Sequence, residues 1–98
     1  MTYIDELERR DPRKVAADLE TYRTKRPSVS EYDTGDERFG LWMAYVNARL
    51  LRSVGVGLFD LADWNMRDAY DGGASPKDGA QEALESDDLY ASFVGGAE

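Results

Sequence analysis

Between Asp60 and Asp88 the chain carries nine acidic residues, Asp60, Asp63, Asp68, Asp71, Asp78, Glu82, Glu85, Asp87 and Asp88, against two basic ones, Arg67 and Lys77. Carboxylates at this density can do three kinds of chemistry. They can work in pairs as acid and base, hold a divalent cation, or present negative charge to a basic partner. Acid–base work needs two carboxylates in different, partly desolvated surroundings, so that their proton affinities separate. The i,i+3 pairs Asp60/Asp63, Asp68/Asp71 and Glu82/Glu85 instead share helix faces and the same water, which favours a solvated face over a glycosidase-type site. Calcium fares no better. Asp71 and Glu82 have the spacing of positions 1 and 12 of an EF-hand loop, but position 3 is Gly73 and position 6, where the turn requires glycine, is Pro76.

Other reactive side chains are few. The chain has no histidine and no cysteine, so the commonest general base, the commonest zinc ligand and any thiolate or disulfide are missing together. Ser28, Ser30, Ser53, Ser75, Ser86 and Ser92 have no histidine to activate them. Gly55-Val-Gly57 lacks both the third glycine and the preceding strand of a nucleotide-binding turn. No catalytic residue, metal site or cofactor is expected, and an enzyme working through a carboxylate pair or a bound divalent ion stands last among the readings.

The third chemistry remains. The candidate partner-binding residues are Asp63, Trp64, Asp68, Asp71, Glu82, Glu85, Asp87 and Asp88. Trp64 is the odd member, because an indole among acids is either a contact anchor or an aromatic packed sideways against the last helix or the Leu89-Tyr90-Phe93 cluster. The packing role is favoured, since a small domain needs every aromatic it has. Carboxylates at i,i+4 repeat every ~6 Å along a helix. One DNA strand presents a phosphate every ~3.4 Å, so two acidic helices side by side approximate phosphate density. Such a surface suits the basic groove of a nucleic-acid-binding protein, with fast, salt-sensitive association. In size, charge and lack of catalytic residues the chain is similar to phage- and plasmid-encoded anti-restriction and anti-CRISPR inhibitors. The likeness is one of type, and it implies an inhibitor acting as a DNA mimic.

The charge layout supports a charged partner. Residues 1–52 hold ten acids and ten bases, whereas residues 53–98 hold ten acids and two bases and so carry the whole net charge of −8. Within the first half, Arg9, Arg10, Arg13, Lys14, Arg23, Lys25 and Arg26 make residues 9–26 basic. These bases are read as partners of Asp5, Glu6, Glu8, Asp18 and Glu20, or of the acidic half of the same or a second copy. The alternative function follows: a small regulatory or assembly module, homodimeric through its basic 9–26 segment and an acidic face. Direct nucleic-acid binding is disfavoured by the overall negative field. Nine arginines to three lysines with an acid excess also fits a salt-adapted or high-GC host, though global salt adaptation would spread acids over the first half too.

The elements that must position these residues read as helices. Tyr3, Ile4 and Leu7 start a short one; Asp11-Pro12 caps a second, with Val15, Ala16, Leu19 and Tyr22 inward, ending near Lys25 ahead of Arg26-Pro27. Residues 26–34 read as a loop, and Thr34-Gly-Asp-Glu37 as a capping box for a central helix over about 35–54. Its inward face is Phe39, Trp42, Met43, Val46, Leu50 and Val54, widened by Leu41, Tyr45, Ala48 and Leu51. Asp60 is expected to cap a helix through Tyr70, buried through Phe59, Ala62, Met66, Ala69 and Tyr70. Gly72-Gly73 stops it, and Ser75-Pro76-Lys77-Asp78 starts a last helix with Ala80, Ala83 and Leu84 inward, weakened by Gly79. A closing turn is expected at Leu89, Tyr90, Phe93 and Val94.

The fold class is therefore all-α: a compact single domain of four to five helices over residues 1–94, with a frayed tail at 95–98. A helix-turn-helix hairpin over about 58–86 packs on the central helix. DNA reading by this hairpin is disfavoured electrostatically, because Asp78, Glu82 and Glu85 would face phosphates. No apolar run approaches the ~20 residues of a membrane span and the polar start, MTYIDELERRDPRK, is no signal peptide, so a cytoplasmic location is expected, that of the host if the chain is phage-encoded.

Overall fold

The computed structural model describes residues 1–61 and 64–86, and among them every regular element is helical. Helix α1 (Tyr3–Arg10) opens on a capping box: the Asp5 N–H donates to the Thr2 hydroxyl and the Thr2 N–H donates to the Asp5 carboxylate, both at 3.2 Å. Helix α2 (Pro12–Lys25) starts as its sequence predicts, with Pro12 in the first turn and Asp11 accepting from the Lys14 N–H at 3.1 Å. Val15, Leu19 and Tyr22 face inward, but Ala16, expected beside them, is exposed. In place of a plain loop, Ser28–Tyr32 forms a 3₁₀ turn.

Helix α3 (Glu37–Val54) is the central element, yet Thr34 does not cap it. Thr34 has φ 54° and donates its hydroxyl to the Asp33 carbonyl, while the Asp33 carboxylate accepts from the Gly35 N–H at 2.9 Å. This side-chain-closed turn moves the cap two residues on, to Asp36, which accepts from the N–H groups of Arg38 and Phe39. Gly55, with φ 75°, ends the helix.

The largest correction lies after α3. Asp60 does not cap a helix. Its carboxylate accepts from the Gly57 N–H at 3.0 Å and closes a 3₁₀ turn, Leu58–Asp60, whose Leu58 N–H donates to the Asn47 side chain at 2.7 Å. That anchor turns Leu58 inward, 2% exposed, and leaves Phe59 outward. Helix α4 is the six residues Met66–Asp71, capped by Asn65, whose side chain accepts from the Asp68 N–H. Helix α5 (Pro76–Ser86) starts as expected, with the Ser75 hydroxyl accepting from the Asp78 N–H at 3.1 Å.

One hydrophobic core links all five helices, from Ile4 and Leu7 through Val15 and Leu19 to Tyr70, Ala80, Ala83 and Leu84, around Trp42, Met43, Val46 and Leu50 of α3. The hairpin expected over 58–86 is thus present in shortened form, α4–turn–α5, and α5 makes the most extensive packing on α3. Gly79 is what lets it come so close: a Cβ there would lie 2.8 Å from Trp42 Cζ2 and 3.1 Å from Val46 Cγ2. Gly40 acts likewise on the other side, where a Cβ would collide with the Tyr22 hydroxyl. Trp42, fully buried, holds the α4–α5 turn by donating its Nε1–H to the Ala74 carbonyl at 2.8 Å. The Cα radius of gyration is 13.5 Å, close to the ~13 Å of a folded domain of this length. No described helix is long and apolar enough to cross a membrane. The expected closing turn at residues 89–94 and the tail at 95–98 lie outside the described residues.

Candidate partner-binding cleft

The Asn65 cap sets the direction of α4, and Ser75-Pro76 sets that of α5. Between them lies a cleft of about 510 Å³ lined by Trp64, Asn65, Asp68, Ala69, Glu82 and Glu85. Four of the eight candidate residues, Trp64, Asp68, Glu82 and Glu85, are therefore brought to one place. Asp68 contributes from α4 and accepts from the Asn65 side-chain amide at 2.6 Å. Glu82 and Glu85 contribute from successive turns of α5 and are exposed; Glu85 accepts from Gln81 at 3.1 Å. Asp78, a turn earlier, is exposed as well.

Asp71 goes elsewhere. Arg67 holds it at 3.3 Å and Asp36 at 3.0 Å, with its guanidinium 4.9 Å from the Phe39 ring centre. Asp63, Asp87 and Asp88 lie outside the described residues.

Trp64 has two faces. It is half-buried and packs on the core, its ring centre 6.5 Å from that of Trp42 on α3, a contact other than the expected packing against the last helix or the Leu89-Tyr90-Phe93 cluster, which lies outside the described residues. It also forms a wall of the cleft. Its Nε1–H is buried and finds no hydrogen-bond partner among the described residues.

The ion pairs of the described residues leave this cleft alone. Arg38 bridges Asp5 and Glu8, tying α1 to α3; Arg23 pairs with both Glu37 oxygens through its Nε and Nη2, tying α2 to α3; Lys14 pairs with Asp18 at 2.9 Å; Arg67 spans Asp36 and Asp71. None involves Asp68, Asp78, Glu82 or Glu85, so the three carboxylates around the cleft have no cationic partner among the described residues. Among the described residues no three acids converge closely enough to hold a metal ion.

The basic segment presents a different surface. A cleft of about 330 Å³ between α2 and α3 is lined by Lys14, Asp18, Tyr22, Lys25, Leu41 and Tyr45. Burial pushes the Tyr45 hydroxyl well above its ordinary range, and its hydrogen bond to Asp18 adds to that. Burial pushes the Tyr22 hydroxyl up as well, helped by its 2.7 Å bond to Asp33. For Asp18 burial acts upward, but the Tyr45 hydroxyl and the Lys14 ammonium outweigh it and hold the carboxyl below its ordinary value. The Tyr45–Asp18 bond ties α2 to α3, and the Tyr22–Asp33 bond ties α2 to the turn ahead of α3. Of the expected pairings within the basic segment, Lys14–Asp18 forms, whereas Arg23 reaches Glu37 and Asp5 and Glu8 are taken by Arg38. The sequence reading missed Arg38 as the hub of α1; the i,i+3 pair Asp5/Glu8 on the polar face of α1 was its only signal.

The acidic cleft falls wholly within residues 38–87, which match a family of unknown function, DUF5419. The chain belongs to this family. The DUF5419 segment spans α3 from its second residue to the end of α5, and the α1–α2 hairpin precedes it. Two relatives are phage proteins. The chain is 44% identical over 46 residues to the Gene 87 protein of Mycobacterium phage D29, covering 47% of this chain and 85% of the relative. It is 39% identical over 46 residues to the Gene 87 protein of Mycobacterium phage L5, covering 47% and 87%. No solved structure matches the chain.

Proposed function

We propose that this DUF5419 protein binds a basic surface of a nucleic-acid-binding protein through its α4–α5 cleft and inhibits it by occupying the ground of DNA, acting in the cytoplasm of a phage host. The observation that carries this is the convergence of Asp68, Glu82 and Glu85 beside Trp64, with no cationic side chain of the described residues pairing with any of the three. Carboxylates gathered in one cleft without a paired cation are neutralised by a basic partner. Trp64 adds apolar surface at the centre of that charge, the composition of a contact anchor. The phage origin of the relatives agrees with an inhibitor of a host enzyme or complex that handles nucleic acid, of the anti-restriction or anti-CRISPR kind.

The test is charge reversal. Asp68→Lys, Glu82→Lys and Glu85→Lys together are expected to abolish capture of the partner while helical circular dichroism stays unchanged. Capture that survives the triple reversal sinks the proposal.

A second reading has one observation behind it. The basic α2 and the acidic α5 pack on α3 without packing substantially on one another, so each can meet its counterpart in a second copy. A self-complementary homodimer of that kind shifts toward monomer in sedimentation as salt rises. A salt-independent monomer discards it.

A further inference from the structure

Tyr32 and Phe59 are 51% and 37% exposed, and they stack on each other with ring centres 4.2 Å apart and planes 27° from parallel. Each sits on its own 3₁₀ turn, Ser28–Tyr32 before α3 and Leu58–Asp60 after it. Val29 and Leu58, 1% and 2% exposed, anchor the two turns in the core, and Asn47 fixes the second through the Leu58 N–H. The pair leaves on the order of 200 Å² of aromatic surface in water, taking ~150–250 Å² for each side chain.

The neighbours of this surface are acidic. Glu31 precedes Tyr32, Asp60 follows Phe59, and both are exposed. Among the described residues neither takes part in an ion pair, and the Asp60 carboxylate accepts from the Gly57 N–H through one oxygen. An exposed aromatic pair on two turns that also carry exposed carboxylates matches one side chain best. A guanidinium stacks flat on a ring and offers its in-plane N–H groups to a carboxylate at the edge, whereas an ammonium is compact, strongly hydrated and unable to do both.

We propose that the Tyr32–Phe59 stack is a docking surface for an arginine side chain on a basic protein partner. This rests on the reading above for the partner's basic character, but it uses none of the cleft residues. The stack supplies arginine selectivity, while the cleft supplies salt-sensitive attraction to any cation.

Titration with oligoarginine and oligolysine peptides of equal length separates the two claims. The native chain is expected to prefer oligoarginine roughly two- to fivefold, the range of an exposed cation–π contact. Tyr32→Leu with Phe59→Leu keeps the apolar bulk, removes the π faces, and is expected to erase that preference while both peptides still bind. Asp68→Lys with Glu82→Lys and Glu85→Lys is expected to weaken both peptides and keep their ratio. In the native chain, nuclear Overhauser contacts from arginine Hδ protons to the Tyr32 and Phe59 rings provide the same test with no substitution; if the double variant loses helicity, Tyr32→Leu alone replaces it. Equal affinity for the two peptides, a preference unchanged by the leucine substitutions, or no ring contacts overturns the arginine proposal alone. Binding of neither peptide overturns the cleft reading with it.

Discussion

Trp64 shows how a single side chain can serve fold and surface together. The sequence posed a choice, anchor or packing: one part of the indole lies toward Trp42, and another walls the cleft that the proposed partner would enter. Neighbouring acids in sequence gave no sign of this, because the contact to Trp42 spans α3 and the approach to α4. The buried Nε1–H has no partner among the described residues, which corresponds to a desolvation cost of about 1–3 kcal/mol. Trp64→Phe removes that group and keeps a ring on Trp42, so urea unfolding is expected to give a stability within about 1 kcal/mol of the native chain, or above it. Trp64→Ala forfeits the packing and is expected to cost about 2–4 kcal/mol. A phenylalanine variant as unstable as the alanine one would mean that the Nε1–H is satisfied after all.

The elements were legible where local chemistry decides them and illegible where a distant partner does. Asp11-Pro12, Ser75-Pro76 and Gly55 set helix ends by short-range hydrogen bonding and backbone preference, and they stand where the sequence puts them. Asp60 was misread because its carboxylate has two local uses, helix cap or turn closure, and Asn47, 11 residues away from Leu58 along the chain, selects the second. Gly79 was read as a weakness of α5, which is correct for an isolated helix. In the fold the missing Cβ is what allows α5 to lie against Trp42. Gly79→Ala gains helix propensity, about 1 kcal/mol, but presses on a ring that is fully buried. Overpacking is expected to win and lower stability by about 1–2 kcal/mol net in denaturant unfolding. A stabilised Gly79→Ala protein would show that the α3–α5 contact is looser than described. The joints between elements also set the response to acid. The Thr2 backbone N–H, the Thr2 hydroxyl and Arg38 hold Asp5 below its ordinary value of 3.8, and Tyr45 and Lys14 do so for Asp18 against burial. A carboxyl whose affinity for protons is lower folded than unfolded stabilises the fold above the unfolded value and loses that contribution as pH falls through the folded one. Stability is therefore expected to decline below about pH 4, with the acid limb flattened in Asp5→Asn and Asp18→Asn. An unchanged limb in both variants would contradict the joints drawn here.

Across the molecule the charge is sorted by element rather than paired away. The ion pairs gather on α1, α2, α3 and one side of α4, while α5 and the cleft keep their carboxylates free of cations among the described residues. That sorting was visible in the sequence as a neutral half and an acidic half. Which acids converge was not, because it depends on the short α4 and on the turn that Trp42 holds to α3. The cleft lies inside the DUF5419 segment, so the matched region contains the residues on which the functional reading depends. The most direct test uses the native chain and the triple reversal at Asp68, Glu82 and Glu85 as baits in a bacterial host lysate, followed by competition with duplex DNA on whatever the native chain captures. The account predicts a nucleic-acid-binding protein held by the native bait, released between ~50 and ~200 mM salt, displaced by duplex DNA, and missing from the reversed bait. Capture of the same protein by both baits, or a complex that duplex DNA leaves intact, would contradict it.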